Sequence, residues 1–410
     1  MEAVKSTKLW ILYSGILLAM VGYGIAMPLL PFYIEEMGGR GTHLGLLIAT
    51  YGLMQLIFAP IWGGLSDTYG RKPFLLLGLL GIALGMSLMG LADKLWMLYA
   101  AQGLSGMLSC GIYPSAMAMI SDQYRKDQRS AAIGRVGAAA GLGVILGPGL
   151  GGFLSFHSLR TPFFVASGFA FVTFLLVAVL LPETLRAKEK HEEREKWNAE
   201  KTFIKKPKIR KERTYLVFAK ALKGPLSFGL IAAFAVNFGK SNFTSIYGYF
   251  ALEKFGYGPQ EVGMILMVMS FMYAIAQGLL VGPLTKKFKE ITLIRGVFAG
   301  ISLAYLSVTF AGNGAQLVIT MGLLMLMLAL LKPVALTYIA NRTDENQGAA
   351  MGIAESFMSM GRIAGPLWAG FIFDYQIHLP YLTGSLFFLL LLMGSILKKK
   401  RESCQLKEAP

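Results

Sequence analysis

Long apolar runs, broken by short charged or turn-forming segments, recur along the whole of this 410-residue chain. Twelve stretches of roughly 19 to 25 residues stand out, each about what a helix rising ~1.5 Å per residue needs to cross ~30 Å of hydrocarbon. They fall near residues 10–31, 44–65, 74–92, 95–119, 131–155 and 162–182, then near 226–250, 261–283, 291–311, 316–339, 349–372 and 379–397. The pattern predicts an all-α integral membrane protein of twelve transmembrane helices. Glycine and proline inside the runs are compatible with this, because neighbouring helices satisfy the backbone groups they free. Lys5 and Lys8 precede the first run, which extends from Leu9 to Leu30 without a small-residue cleavage site. It reads as a retained first helix and not as a removable leader.

The long polar interruption, residues 183–223, carries 14 Lys/Arg against 7 Asp/Glu. It divides the chain into an N-terminal six-helix half (1–182), a cytoplasmic charged linker (183–223), a C-terminal six-helix half (224–397) and a basic cytoplasmic tail (398–410). Within the linker, the run EKHEEREKWNAEK is compatible either with a surface helix held by i to i+4 pairs or with a solvated tether. The two halves repeat one another. Adding 218 carries Ala131, Ala132, Gly134, Gly147, Pro148 and Gly152 onto Ala349, Ala350, Gly352, Gly365, Pro366 and Gly370. GGLSD at 63–67 has a weaker echo in GPLTK at 282–286. Duplication explains both, and transporters commonly carry such repeats around a midplane site.

Composition agrees: 55% of residues are apolar, 15% are charged and the mean hydropathy is +0.55. The formal charge of +16 invites a nucleic-acid reading, but the placement of the charge excludes it. With the N-terminus inside, 31 of the 39 Lys/Arg fall on the inner side, and only Arg40, Lys94, Arg160 and Lys254 on the outer. The positive-inside rule then predicts both termini in the cytoplasm of a cell whose plasma membrane, in a bacterium the inner membrane, holds the chain. Cys110, inside the fourth run, and Cys404, in the tail, imply neither a disulfide nor a metal framework.

Two spaced motifs carry the candidate chemistry. Between the second and third runs stands Gly63-Gly-Leu-Ser-Asp67-Thr-Tyr-Gly70-Arg71-Lys72-Pro73, which reverses the chain at the inner face. Its glycines permit a tight turn, its cations face anionic headgroups, and Asp67 is placed either to pair with them or to sit at a helix N-terminus. The fifth run carries Gly134, Gly143, Gly147, Pro148, Gly151 and Gly152. Gly143, Gly147 and Gly151 lie four apart and form a smooth stripe for close helix packing, and Pro148 predicts a kink by freeing the carbonyl of Val144.

The order G-x-L-S-D-x-x-G-R-K closely resembles the cytoplasmic loop motif of the major facilitator superfamily. The glycine–proline spacing of the fifth run resembles the signature of its antiporters. Pro28-Leu-Leu-Pro31 and Leu181-Pro-Glu-Thr184 are lesser matches to the same family. The nearest resemblance is to the twelve-helix drug:proton antiporters, the group of tetracycline and multidrug exporters. It implies export of a small molecule by alternating access in a single chain in the bilayer, driven by the proton gradient with no bound cofactor. An exporter or flippase of an anionic metabolite or lipid is the alternative, and a transport-dead sensor or scaffold a further one. The chain departs from relatives in two places: an aspartate of the first helix is Ala19 here, and an arginine of the fourth helix is Gln102.

Glu355 is the one acid well inside a run, with Arg362 seven residues later on the same helix face. Charges at helix centres cost about 2.5–3.5 kcal/mol on insertion scales, so they face cavities or partners. Proton carriage, a structural polar contact and substrate contact are all open for Glu355. Lys240 lies deep in the seventh run, either to attract an anionic or zwitterionic substrate or to counter Glu355. Arg135 and Lys332 lie nearer the inner face. The 22 methionines and the aromatics Phe243, Tyr247 and Tyr249 suit either a promiscuous pocket or ordinary packing. The four histidines fall in predicted loops and no nucleophile or metal-ligand set converges, so the chain is not expected to be an enzyme.

Overall fold

The computed structural model describes residues 2–123, 126–183, 224, 226–343 and 347–408. Nearly all of the linker lies outside the described residues. Among the described residues every element is a helix: α1 (Glu2–Ala26), α2 (Leu30–Glu36), α3 (Gly41–Tyr69), α4 (Arg71–Gly90), α5 (Leu95–Ser109), α6 (Ile112–Gln123), α7 (Lys126–Leu154) and α8 (Thr161–Leu180) come before the linker. After it come α9 (Ser227–Phe255), α10 (Pro259–Ile275), a π-helical turn (Ala276–Leu280), α11 (Val281–Lys287), α12 (Glu290–Thr309), α13 (Gly314–Ala340), α14 (Gln347–Phe373) and α15 (Leu379–Glu408). Taking α1 with α2, α5 with α6, and α10 with the π turn and α11 recovers the twelve spans.

Among the described residues, nine of these spans are long and apolar enough to cross a membrane. The bent pair of α1 and α2, 42° at its break, makes ten. The remaining two, α9 and α14, are diluted by Asn237, Lys240 and Asn242 and by Glu355, Ser356 and Arg362. Outward-facing side chains are apolar to a degree only lipid tolerates: Phe153, Val179 and Phe310 are each 78% exposed.

Contacts divide the chain into two compact units, Met1–Tyr33 with Thr50–Thr214, and Ile34–Ala49 with Tyr215–Pro410. In the first, α1 packs along α7 and α8, and α4 against α5 and α8. In the second, α9 packs along α14, and α12 against α13 and α15. Residues 34–49 group with the second unit because small residues let them lie on the end of α14. A Cβ added to Gly41 would meet the Gly370 carbonyl at 2.9 Å, and the Thr42 amide donates to Asp374 Oδ2 at 3.0 Å.

Duplication is visible at the level of backbone atoms. In the first unit, a Cβ on Gly143 would strike the carbonyl of Leu17 and the amide nitrogen of Val21, and one on Gly147 the carbonyl of Val21. In the second, Gly361 faces the carbonyl of Phe234 and the nitrogen of Phe238, and Gly365 the carbonyl of Phe238. The glycines keep the offset of 218 seen in the sequence, while their partners run from 17 to 234 and from 21 to 238, an offset of 217. Phe243, Tyr247 and Tyr249 are at most 3% exposed. They belong to the interior of the second unit, with Tyr305 and Tyr381, so packing and not pocket lining is their observed place.

Candidate functional site

The loop motif is built around one residue. Gly63 and Gly64 lie inside α3 with open space beside them, so neither makes the turn. Gly70 alone does: it joins α3 to α4 with φ +112° and ψ 158°, a region closed to residues with a side chain. Asp67, on the last turn of α3, pairs with Arg71 one turn on, and Arg71 Nε also reaches Asp122 Oδ2 at 3.5 Å. Asp67 therefore takes the pairing role, and another carboxylate takes the helix terminus. Glu183 accepts from the Arg71 amide at 3.0 Å and the Lys72 amide at 3.1 Å, satisfying two orphan donors where the helix dipole favours negative charge. Lys72 Nζ donates to the Ala178 carbonyl at 2.6 Å. The loop motif and Glu183 thus form one construction, tying the start of α4 to the end of α8.

The glycine stripe of α7 lies against α1. Gly143 and Gly147 meet it at separations where an added Cβ would stand 2.6 Å from Met20 Cβ and from Gly24 Cα, and Gly151 is crowded by the Ile25 carbonyl. Gly134, by contrast, faces open space. Pro148 sits inside α7 without ending it, beside Gly24, and the Gly152 carbonyl accepts from Ser155 Oγ at 2.7 Å.

In the second unit the predicted span charges come together. Seven residues of helix separate Glu355 from Arg362, about 10 Å along the axis, yet their side chains close to 3.7 Å with roughly half of each exposed. Lys240 does not join that pair. Its ammonium stands over the Tyr273 ring, 4.6 Å from the centroid, and feels the positive charges of Lys332 and Arg362. Tyr273 Oη in turn accepts from Gln277 Nε2 at 3.3 Å, and Gln277 lies in the π turn. Such turns are often found at functional sites because they re-aim side chains within a helix.

The first unit holds a polar cluster that the sequence did not single out. Tyr51 Oη bonds Ser109 Oγ at 3.0 Å, Gln55 Nε2 donates to Tyr51 Oη at 3.1 Å, and the Tyr23 ring lies 5.9 Å from that of Tyr51. Tyr51 and Gln55 at i and i+4 in the apolar middle of α3 were the available signal. Gln102 is buried at 7% exposure and Ala19 fully. Neither supplies a charge in place of the family residues.

A family model described as Major Facilitator Superfamily matches residues 12–239 and 229–408, together nearly the whole chain. The chain belongs to the major facilitator superfamily. Within that superfamily it is 31% identical over 379 residues to Multidrug resistance protein 2 of Bacillus subtilis, covering 92% of each protein. It is 26% identical to Quinolone resistance protein NorA of Staphylococcus aureus over 91% of this chain and 92% of that one. A solved bacterial homologue of the human lysosomal transporter Spinster superposes with a TM-score of 0.76 at 13% identity, over 96% of this chain and 97% of that one. At that identity the likeness concerns the fold. The major facilitator fold, the multi-pass membrane character and the similarity to multidrug resistance proteins are thereby established, and they mark a member of a transporter family.

Proposed function

We propose that this protein is a secondary active exporter of small amphipathic molecules, of the multidrug class, working by alternating access and exchanging its substrate for protons. The observation that carries the reading is the similarity to Multidrug resistance protein 2, which spans 92% of both chains. The glycine stripe on α7 and its counterpart on α14 support a moving helix contact: smooth backbone surfaces slide and rock where interlocked side chains would not. The Lys/Arg asymmetry supports a plasma-membrane protein with both termini cytoplasmic.

Proton coupling rests on Glu355. A proton on this carboxyl removes its charge and releases Arg362 from the pair at 3.7 Å, so protonation and the ion pair exclude one another. Export from everted vesicles tests the whole reading. Asp67→Asn and Gly147→Leu are expected to lose transport while inserting normally, and wild-type rates in both would refute a part for the loop motif and the glycine stripe in alternating access. Glu355→Gln is expected to flatten the pH dependence of transport. An unchanged profile removes Glu355 as the carrier.

A further inference from the structure

The charges that converge within the second unit are unbalanced. α9 contributes Lys240, α13 Lys332 and α14 Arg362, close enough for the latter two to act on Lys240. The one described carboxylate among them, Glu355, is engaged by Arg362. Among the described residues, neither Lys240 nor Lys332 has an ion pair with a carboxylate. The cluster therefore carries two positive charges more than negative ones. Repulsion and desolvation both oppose such an arrangement in a membrane-spanning bundle, and it persists where a counter-charge arrives from outside the chain. Lys240 is half-buried and held in place by the Tyr273 ring, and the Gln277 amide on the same side adds neutral donors. Ammonium, guanidinium and amide donors near an aromatic ring form a receptor for an anionic oxygen group attached to an apolar body.

We infer that this face of the second unit binds the anionic group of the transported molecule, so that the substrates are amphipathic anions or zwitterions bearing a carboxylate, sulfonate or phosphate, with Lys240 as principal counter-charge. The inference rests on the export reading above and gives it a substrate class. A purely cationic amphiphile meets repulsion here. The carboxylate of a soluble compound and the phosphate of a lipid headgroup share the required chemistry.

Three probes separate the outcomes: carboxyfluorescein as a soluble anion, ethidium as a cation, and a fluorescent phosphatidylglycerol as an anionic lipid. Binding to the purified full-length protein is read by fluorescence polarisation, and transport in proteoliposomes under a proton gradient. Wild type is expected to bind and move an anionic probe in preference to ethidium. Lys240→Gln should weaken anion binding roughly tenfold or more, the worth of one charge-assisted hydrogen bond. Lys240→Arg should restore most of it. Removing a repelled charge should also leave Lys240→Gln as thermostable as wild type or more so, which a merely structural lysine would not do. Lipid movement without carboxyfluorescein movement supports the class and assigns a lipid source. Lys240-dependent anion binding without any transport upholds the site and overturns the export reading. Ethidium transport with no Lys240-dependent anion binding upholds export and overturns this inference.

Discussion

Replacing Gly147 by alanine isolates the close packing of α1 on α7. The added Cβ would stand 2.6 Å from Gly24 Cα and 2.8 Å from the Val21 carbonyl oxygen, where ordinary contact begins at 3.4 Å. Both obstacles are backbone, so no rotamer change relieves them, and α1 must retreat by about 0.6–0.8 Å. A gap of that size forfeits about a quarter to a half of each dispersion contact along the seam, and overpacking of this kind costs about 1–3 kcal/mol. Alanine also gains about 1 kcal/mol of helix propensity over glycine, which hides part of the loss. Gly141→Ala supplies the control: it lies on the same helix with nothing within 4 Å, so it collects the propensity gain without the clash. The difference between the two variants, about 1–3 kcal/mol, then reports the seam alone. It is read from unfolding midpoints of the purified proteins in mixed detergent micelles. If the midpoints coincide within about 0.5 kcal/mol, the range of substitutions that touch nothing, α1 does not pack on this stripe and the sliding contact proposed for transport loses its basis.

Other substitutions test the remaining constructions. Glu183→Ala removes the acceptor of two α4 amides and is expected to cost about 1 kcal/mol, whereas Asp67→Ala, losing an exposed pair, should cost less in the same unfolding assay. Gly70→Ala forces a side chain into a glycine-only conformation and against the Glu183 carboxylate, and about 1–3 kcal/mol should be lost. His378, in the loop before α15, has its pKa lowered by burial and then by the positive charge of Lys254. Its folded pKa thus lies below the unfolded value of 6.5, so its contribution to stability is full above pH 6.5 and is lost as pH falls through the folded value. Thermostability of wild type should therefore drop between pH 7.5 and 5 by more than that of His378→Asn, and equal drops would refute the assignment.

How far the sequence revealed these features depended on whether backbone or side chains made the contact. The twelve spans and the repeated glycines of α7 and α14 were legible because hydrophobicity and the absence of a side chain are properties of single positions. The answering surfaces on α1 and α9 were not, since Leu17 and Val21, like Phe234 and Phe238, present carbonyls and amides that any residue carries. Duplication left no mark there. Glu183 was visible as part of a short motif, but its role was not: its partners are the amides of Arg71 and Lys72, 112 and 111 residues away. The grouping of residues 34–49 with the second unit was hidden for the same reason. Spacing did place Glu355 and Arg362 on one helix face, and two flexible side chains turned that separation into an ion pair.

The two helix pairs that share this backbone packing have diverged in charge, and the divergence has a physical logic. In the first unit, α1 against α7 carries Ala19 buried at its centre, and the one charge in the fifth span, Arg135, is exposed. In the second, α9 against α14 carries Lys240, Glu355 and Arg362, together with Asn237, whose Nδ2 donates to the Met358 carbonyl at 3.0 Å. Polar residues leave these two helices short of the apolar window that the other described spans reach, which should weaken their hold in a bilayer. Gly361 and Gly365 answer that weakness by bringing α14 onto the backbone of α9, where dispersion contacts along two whole helices and the Asn237 bond offset the burden of the charges. The same glycine geometry therefore serves different ends. It makes a smooth seam in the first unit, and in the second it makes a cationic cluster tolerable. On this argument Gly361→Ala should harm the protein more than Gly147→Ala, because it weakens the packing surface beside the unbalanced charges of Lys240 and Arg362.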